Sequence, residues 1–256
     1  MSYENIRIAH EDRFVRVTMA KPEKRNALSQ AHLVELLDAF RSAGASNARG
    51  VILAAEGPVF SAGHDFSDMA GRSLGEMRTM LGICADLMLT IQAIPQVVIA
   101  QVEGLATAAG CQLVASCDLA VAGASSRFQV PGGRGGWFCT TPGVALGRAI
   151  GRKRSLELLL TGDPIDADTA LAWGLVNRVV EDDEVPEATT ELLGRATRGS
   201  AASKAIGKQA FYRQIDMELR SAYDYATEVM ASTSQLDDAR ENMAAFVEKR
   251  KPVFED

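Results

Sequence analysis

Residues 102–122 read VEGLATAAGCQLVASCDLAVA. The stretch leaves an apolar strand, Gln96–Val102, turns at Gly104, runs through small residues and enters a second strand, Leu119–Ala122. Small residues placed where a helix begins expose backbone N–H groups that have no intrahelical partner, and the peptide dipoles there favour negative charge. Residues 57–66, GPVFSAGHDF, repeat the arrangement after the apolar strand Gly50–Ala55. Tight helix packing explains either loop taken alone. Taken together, two N–H groups from separate loops can converge on one oxygen, which is the composition of an oxyanion hole and needs no titrating side chain.

Outward from these loops the order is strand, helix, strand, helix, strand, which predicts βαβ-type units with buried strands. Residues 5–20 alternate and are rich in β-branched side chains (Ile6, Ile8, Val15, Val17), predicting a hairpin that turns near His10–Arg13. Ser29 caps a predicted helix over Ala31–Ala43, with Leu33, Leu36, Leu37 and Phe40 on one face. Residues 74–93 carry an apolar stripe at helical spacing that Pro95 stops. Beyond residue 131 the chain is first rich in Gly, Thr and Pro, then reads as helices over Ser155–Leu160, Asp166–Trp173 and Glu187–Thr197 and as a last helical region from about 201 to 250. No further strand is predicted there. The division is an α/β core over residues 1–190 and a helical C-terminal module over residues 191–256.

With 256 residues, 47% of them hydrophobic, the chain has ample core, which excludes disorder and a disulfide-stapled miniprotein. Lys plus Arg number 27 against 33 Asp plus Glu, so the net charge of −6 argues against general nucleic-acid or anionic-membrane binding. No apolar run approaches the ~20 residues of a membrane span, and no apolar leader opens the chain. The four cysteines show no CxxC or CxxH spacing, so no metal is expected, and the thiols predict a reduced, cytoplasmic protein. GxGxxG after a strand and the P-loop pattern are both absent. With only three histidines (His10, His32, His64), carboxylates or backbone groups are expected to carry any chemistry.

The chain resembles the enoyl-CoA hydratase/isomerase, or crotonase, superfamily over essentially its whole length. Besides the two loops, the resemblance rests on KPEKRNALS at 21–29, TPGVALGRAIG at 141–151, LTGDPIDADTALAWGLVNRVV at 160–180 and AFVEKRKPVF at 245–254. The second loop is similar to that of the subgroup called enoyl-CoA hydratase domain-containing protein three. The resemblance implies an α/β fold, a ClpP-like spiral of ββα units, with a helical C-terminal trimerisation module assembled as a homotrimer or as a hexamer (a dimer of trimers). It implies an acyl-CoA thioester as ligand and a place in fatty acid metabolism. Coenzyme A then arrives as part of the substrate, and no cofactor is bound permanently. The thioester carbonyl would sit between the N–H groups of His64 and Ala109, polarised toward an enolate. The Ala62 carbonyl would contact adenine, and Lys24, Arg25 and Ala27 would line the CoA channel. Asp65, Phe66 and Trp137 fall on the substrate side, and Phe246 and Lys249 would reach CoA from the C-terminal helix, often a neighbour's.

The resemblance breaks at the acid and base. Hydratase members use two glutamates, and the matching positions here are Gln112 and Gly132. Gln112 can hydrogen-bond a water but cannot accept a proton at neutral pH, which forfeits a general-base contribution of ~10²–10⁴-fold. Restoring glutamate at both positions is the natural gain-of-function experiment. Asp118, Asp65 and Glu103 read as structural, and Cys139 or the His64 side chain as the remaining candidates near the site. The expected function is a lyase of enoyl-CoA hydratase type. The alternatives are another reaction on acyl-CoA, such as thioester hydrolysis or decarboxylation, and a non-catalytic acyl-CoA-binding protein.

Overall fold

The computed structural model describes residues 3–254. Strands β1 (Ile6–Glu11) and β2 (Phe14–Met19) form the expected hairpin, paired from Ile6 with Met19 to Glu11 with Phe14. Asp12 takes the left-handed conformation at its tip, φ 52°, which aspartate tolerates better than most residues. Helix α1 (Gln30–Gly44) starts on Ser29, whose hydroxyl accepts the His32 N–H. Strand β3 (Gly50–Ala55) follows, then a short α2 (Phe66–Met69) and the long α3 (Leu74–Ala93), which opens with a Ser73–Glu76 capping box.

The next elements are β4 (Val97–Val102), β5 (Leu105–Thr107), α4 (Ala109–Ser116), β6 (Leu119–Gly123) and β7 (Arg127–Gln129). They are followed by α5 (Thr140–Ala149), α6 (Arg152–Thr161), β8 (Ile165–Asp166), α7 (Ala167–Trp173) and β9 (Arg178–Val180). A six-stranded sheet runs β1-β2-β3-β4-β6-β9, parallel after its first pair, and a three-stranded sheet runs β5-β7-β8. Each turn of the chain gives one strand to the large sheet, a short one to the small sheet, and then a helix: β4, β5, α4, then β6, β7, α5. A bridge from Ser61 to Ala106 adds the loop after β3 to the small sheet. This is the implied spiral of ββα units.

Strand alternation therefore continues past residue 131, against the sequence-based expectation. The strands added beyond that point, β8 and β9, are two and three residues long, too short to show a period, and they exist because the spiral offers each an edge. Helix α8 (Val185–Ala196) spans residue 190. It seats Val185 and Leu193 on Ile52, Ile99 and Val121 of the large sheet, so the sheet's helical cover extends to Ala196. The last region is three helices, α9 (Ala201–Gln214), α10 (Leu219–Thr233) and α11 (Asp237–Val247). Helix α9 is pinned to the core where Lys208 Nζ meets Asp118 Oδ2 at 2.7 Å and also donates to the carbonyls of Ile91 and Gln96. The Tyr212 hydroxyl donates to the other Asp118 oxygen at 2.8 Å. Phe211, Leu219, Tyr223, Met230 and Phe246 leave these helices with exposed apolar faces.

Candidate functional site

Three loops meet at the ends of β3 and β4. Asn26, fully buried, joins the first two. Its Oδ1 accepts the Lys21 N–H at 2.9 Å, and its amide donates to the carbonyls of Glu56 (2.9 Å) and Val59 (2.8 Å). Leu28 then pairs with the 61–65 loop: its N–H reaches the Gly63 carbonyl at 2.8 Å, and its own carbonyl accepts from Asp65 at 3.2 Å. The 61–65 loop in turn pairs with β5, the Thr107 N–H donating to Ser61 O at 2.9 Å.

Gly63 is where the two glycine-punctuated loops touch. Its φ is +80°, and a Cβ there would lie 2.9 Å from the Ala108 Cβ and the Thr107 carbonyl oxygen and 3.2 Å from the Ala109 nitrogen. Only glycine fits. Across from it Ala108 is held at φ 50°, ψ −116°, a conformation unfavourable for a residue with a Cβ. Ala108 donates its N–H to Gln129 O at 2.9 Å, and Ala109 is the first residue of α4, where a helical N–H has no partner within the helix.

These loops wall a cleft of about 1170 Å³. Of the residues named from sequence, Ala27, Ala62, His64 and Ala109 line it, as do Asp65, Phe66, Gly132 and Trp137. The Phe66 and Trp137 rings stand 6.2 Å apart at 52°. Lys24 and Arg25 sit beside the cleft without lining it. Lys24 Nζ is 3.9 Å from Asp65, and the Arg25 carbonyl accepts the Ala62 N–H at 2.9 Å. Gln112 is buried inside α4, away from the lining, with an unpartnered Oε1. Phe246 and Lys249 lie at the exposed end of α11, outside this chain's own cleft.

Among the cleft's described residues the ionisable groups are His64, Asp65, Arg134 and Cys139. Asp65 caps α2, accepting from Ser67 N (2.9 Å) and Ser67 Oγ (2.5 Å). The Ser67 hydroxyl holds its carboxyl below the usual range. Arg134 pairs with Asp163 at 3.0 Å. Burial pushes the His64 imidazole down, against a smaller opposing influence of the Leu28 carbonyl, so the ring is neutral at pH 7. Neither His64 ring nitrogen makes a hydrogen bond of good geometry among the described residues. Burial raises the Cys139 thiol.

Gly132, the position expected from the sequence to match the second glutamate, is closed to a side chain. A Cβ on Gly132 would overlap the Trp137 carbonyl oxygen and the Cys139 sulfur, so a glutamate substituted at 132 has no room in this loop. Sequence reasoning misses Thr107, whose buried Oγ1 has no partner, and Met77 and Leu81, which line the cleft from α3. The two apolar residues are visible in the helical stripe, where their spacing is that of a core face. Thr107 carries no signal of its own, because its place on the cleft wall depends on which loops meet. Among the described residues no group of three or more His, Cys, Asp or Glu is placed to hold a metal ion, and no helix is long and apolar enough to cross a membrane. The cleft is lined mostly by apolar and small residues, with few groups able to exchange protons.

The family model described as Enoyl-CoA hydratase/isomerase matches residues 10–256. The chain is 42% identical over 246 residues to the enoyl-CoA hydratase domain-containing protein 3, mitochondrial, of Rattus norvegicus, covering 95% of this chain and 82% of that protein. The Homo sapiens protein of the same name is 42% identical over 240 residues, covering 93% and 79%. Among solved structures, an enoyl-CoA hydratase of Mycobacterium smegmatis superposes with a TM-score of 0.95 at 43% identity, covering 98% of both chains. The human enoyl Coenzyme A hydratase domain-containing protein 3 gives a TM-score of 0.93 at 40% identity, over 98% of this chain and 100% of that one.

Proposed function

The chain belongs to the enoyl-CoA hydratase/isomerase family, and from that we propose that it binds an acyl-CoA thioester in the cleft and stabilises the thioester enolate with the backbone N–H groups of His64 and Ala109. The observation that carries this reading is the packing of Gly63 on Thr107–Ala109, which sets the two loops against each other on one wall of the cleft. A donor aimed at developing negative charge is worth about 3–4 kcal/mol in such a site. Ala62, Ala27, Lys24 and Arg25 supply the CoA side. Phe246 and Lys249, remote from their own chain's cleft, serve a neighbour's in a homotrimer or hexamer, whose contacts would cover the bare faces of α9–α11. Coenzyme A enters as part of the substrate, without a resident cofactor.

A second reading concerns the reaction. With Asp65 engaged as a cap and Gly132 closed to a side chain, hydration lacks its acid and base. Thioester hydrolysis, decarboxylation or ligand binding without turnover are the competing outcomes. The four thiols suit a reducing compartment, and a cytoplasmic site stays our proposal, although the vertebrate relatives are named as mitochondrial.

Titration with octanoyl-CoA tests the binding reading. At a hundredfold excess over Kd it stabilises the fold by about 2.7 kcal/mol, which raises Tm by roughly 5–10 °C. Ala109→Pro tests the donor. Proline removes the N–H, and because Gly63 packs close to the Ala109 nitrogen the melt is read first; in a variant that still melts cooperatively, turnover or enolate-analogue binding drops ~10²–10³-fold. An unchanged affinity in a folded Ala109→Pro protein removes the oxyanion assignment. Mass spectrometry of crotonyl-CoA and saturated acyl-CoAs after incubation separates hydration, hydrolysis and simple binding.

A further inference from the structure

Among the described residues, Cys139 carries the one thiol that lines the cleft. It is half-buried. Its sulfur fills the space above Gly132 where a side chain from that residue would stand, and the Gly132 N–H points toward it. It is also the N-cap residue of the ten-residue helix α5, with no side-chain cap bond of its own, and a helix N-terminus favours the thiolate. Burial raises the Cys139 thiol too, with the Gly132 N–H opposing it, while the other thiols, Cys84, Cys111 and Cys117, lie buried outside the cleft and are pushed up by burial, Cys84 and Cys111 to about 12.

A second and independent observation points to a ligand in the same cleft. Thr107 lines the same cleft and is 9% exposed, and its buried hydroxyl oxygen has no partner. Buried polar groups left open in this way cost stability until a ligand or water meets them.

We propose that Cys139 is a covalent attachment site for α,β-unsaturated acyl thioesters bound in the cleft. The proposal rests on the acyl-CoA reading above. In the step, the sulfur bonds the β-carbon and the C=C π pair shifts through the α-carbon onto the thioester oxygen, where the backbone donors hold it. The proton released from sulfur ends on the α-carbon. The product is a thioether carrying the whole acyl-CoA. Nothing leaves, and neither partner is oxidised by an outside reagent.

The test is intact-protein and peptide mass spectrometry of the full chain incubated with trans-2-octenoyl-CoA, with saturated octanoyl-CoA as the control and a thermal melt run on both. The expected result is an added mass equal to one whole octenoyl-CoA, mapped to the peptide holding Cys139, absent with octanoyl-CoA and lost in Cys139→Ser. Adduct formation should quicken about tenfold from pH 7 to pH 8, because the thiolate attacks and the group titrates above that range. If octanoyl-CoA raises Tm but octenoyl-CoA leaves no mass on Cys139, this proposal fails and the acyl-CoA reading stands. If neither thioester moves the melt and no adduct forms, both fail. Equal labelling of the other cysteines also overturns it. The mapping is done on the natural chain, so the outcome is decided even where Cys139→Ser folds poorly.

Discussion

The ammonium of Lys208 stands 2.7 Å from a carboxylate oxygen of Asp118, with side-chain exposures of only 8% and 13%. Burial works against both charges, raising the Asp118 carboxyl and lowering the Lys208 ammonium, while each supports the other's ionised form. Asp118 also accepts the Val98 N–H at 2.7 Å and the Tyr212 hydroxyl at 2.8 Å. One cluster thus ties β4, the end of α4 and helix α9 together.

Removing one partner leaves the other charge uncompensated in the interior. Lys208→Met is expected to cost about 3–5 kcal/mol, a Tm drop of roughly 6–20 °C for a chain of this size. Calorimetry of the single and double variants checks it. Lys208→Met with Asp118→Leu should lose less than the sum of the two singles, and strict additivity would show that the pair is not coupled.

Asn26 couples two loops by three hydrogen bonds and does so at φ 49°, where asparagine is among the better tolerated residues. Asn26→Ala strands the Lys21 N–H and two carbonyls and puts alanine in a left-handed conformation. The expected loss is about 3 kcal/mol or more, together with faster proteolysis between residues 21 and 65. Asn26→Asp, which sets a buried carboxylate oxygen against the Glu56 and Val59 carbonyls in place of the amide donor, should cost at least as much. A protein whose cleavage pattern is unaltered would refute the coupling.

Gly132 predicts a failed rescue. Its missing hydrogen-sized space is bounded by a backbone oxygen and the Cys139 sulfur, so even Gly132→Ala must shift the 131–139 loop, at about 1–3 kcal/mol. Gln112→Glu with Gly132→Glu is therefore expected to melt earlier and to hydrate crotonyl-CoA no faster than the natural chain. A double variant with natural Tm and restored hydration would prove the loop more compliant than its packing indicates.

Two buried histidines set an acid limit. Burial lowers both His32 and His64 below the ordinary value of 6.5, against smaller opposing hydrogen bonds. Below pH 6.5 the unfolded chain binds more protons than the folded one, so stability falls as pH falls, by up to ~1.4 kcal/mol per pH unit for each histidine. Above about pH 7 this contribution is complete and flat. Asp118, raised by burial, acts with the opposite sign at lower pH, so melts at pH 7.5, 6.0 and 5.0 should be compared with those of His32→Gln, in which the slope should shrink.

The long elements are legible in the sequence because their periods are long. The 20 residues of α3 and the six of β3 have the ends that the sequence predicts, since Ser73, Pro95 and Gly50 punctuate them. Strands β5, β7, β8 and β9 are invisible there for a physical reason: two or three residues carry no alternation, and each is a strand only because the spiral brings it an edge. In the site, glycine spacing exposes the His64 and Ala109 loops, which depend on local backbone. Asn26, Thr107 and the closure above Gly132 depend on which loops meet, and a single chain of letters does not display that. Asp65, expected to cap its loop, caps α2.

Ala108, locked at φ 50° where glycine would be at ease, has a consequence for timing. A glycine there would let the second loop sample many shapes and settle only when a ligand arrived. Alanine has far fewer conformations to choose from, so the loop's disorder is surrendered when the chain folds, and the arriving thioester meets a finished surface. Ligand capture should then run at the rate of encounter, without a slow concentration-independent phase.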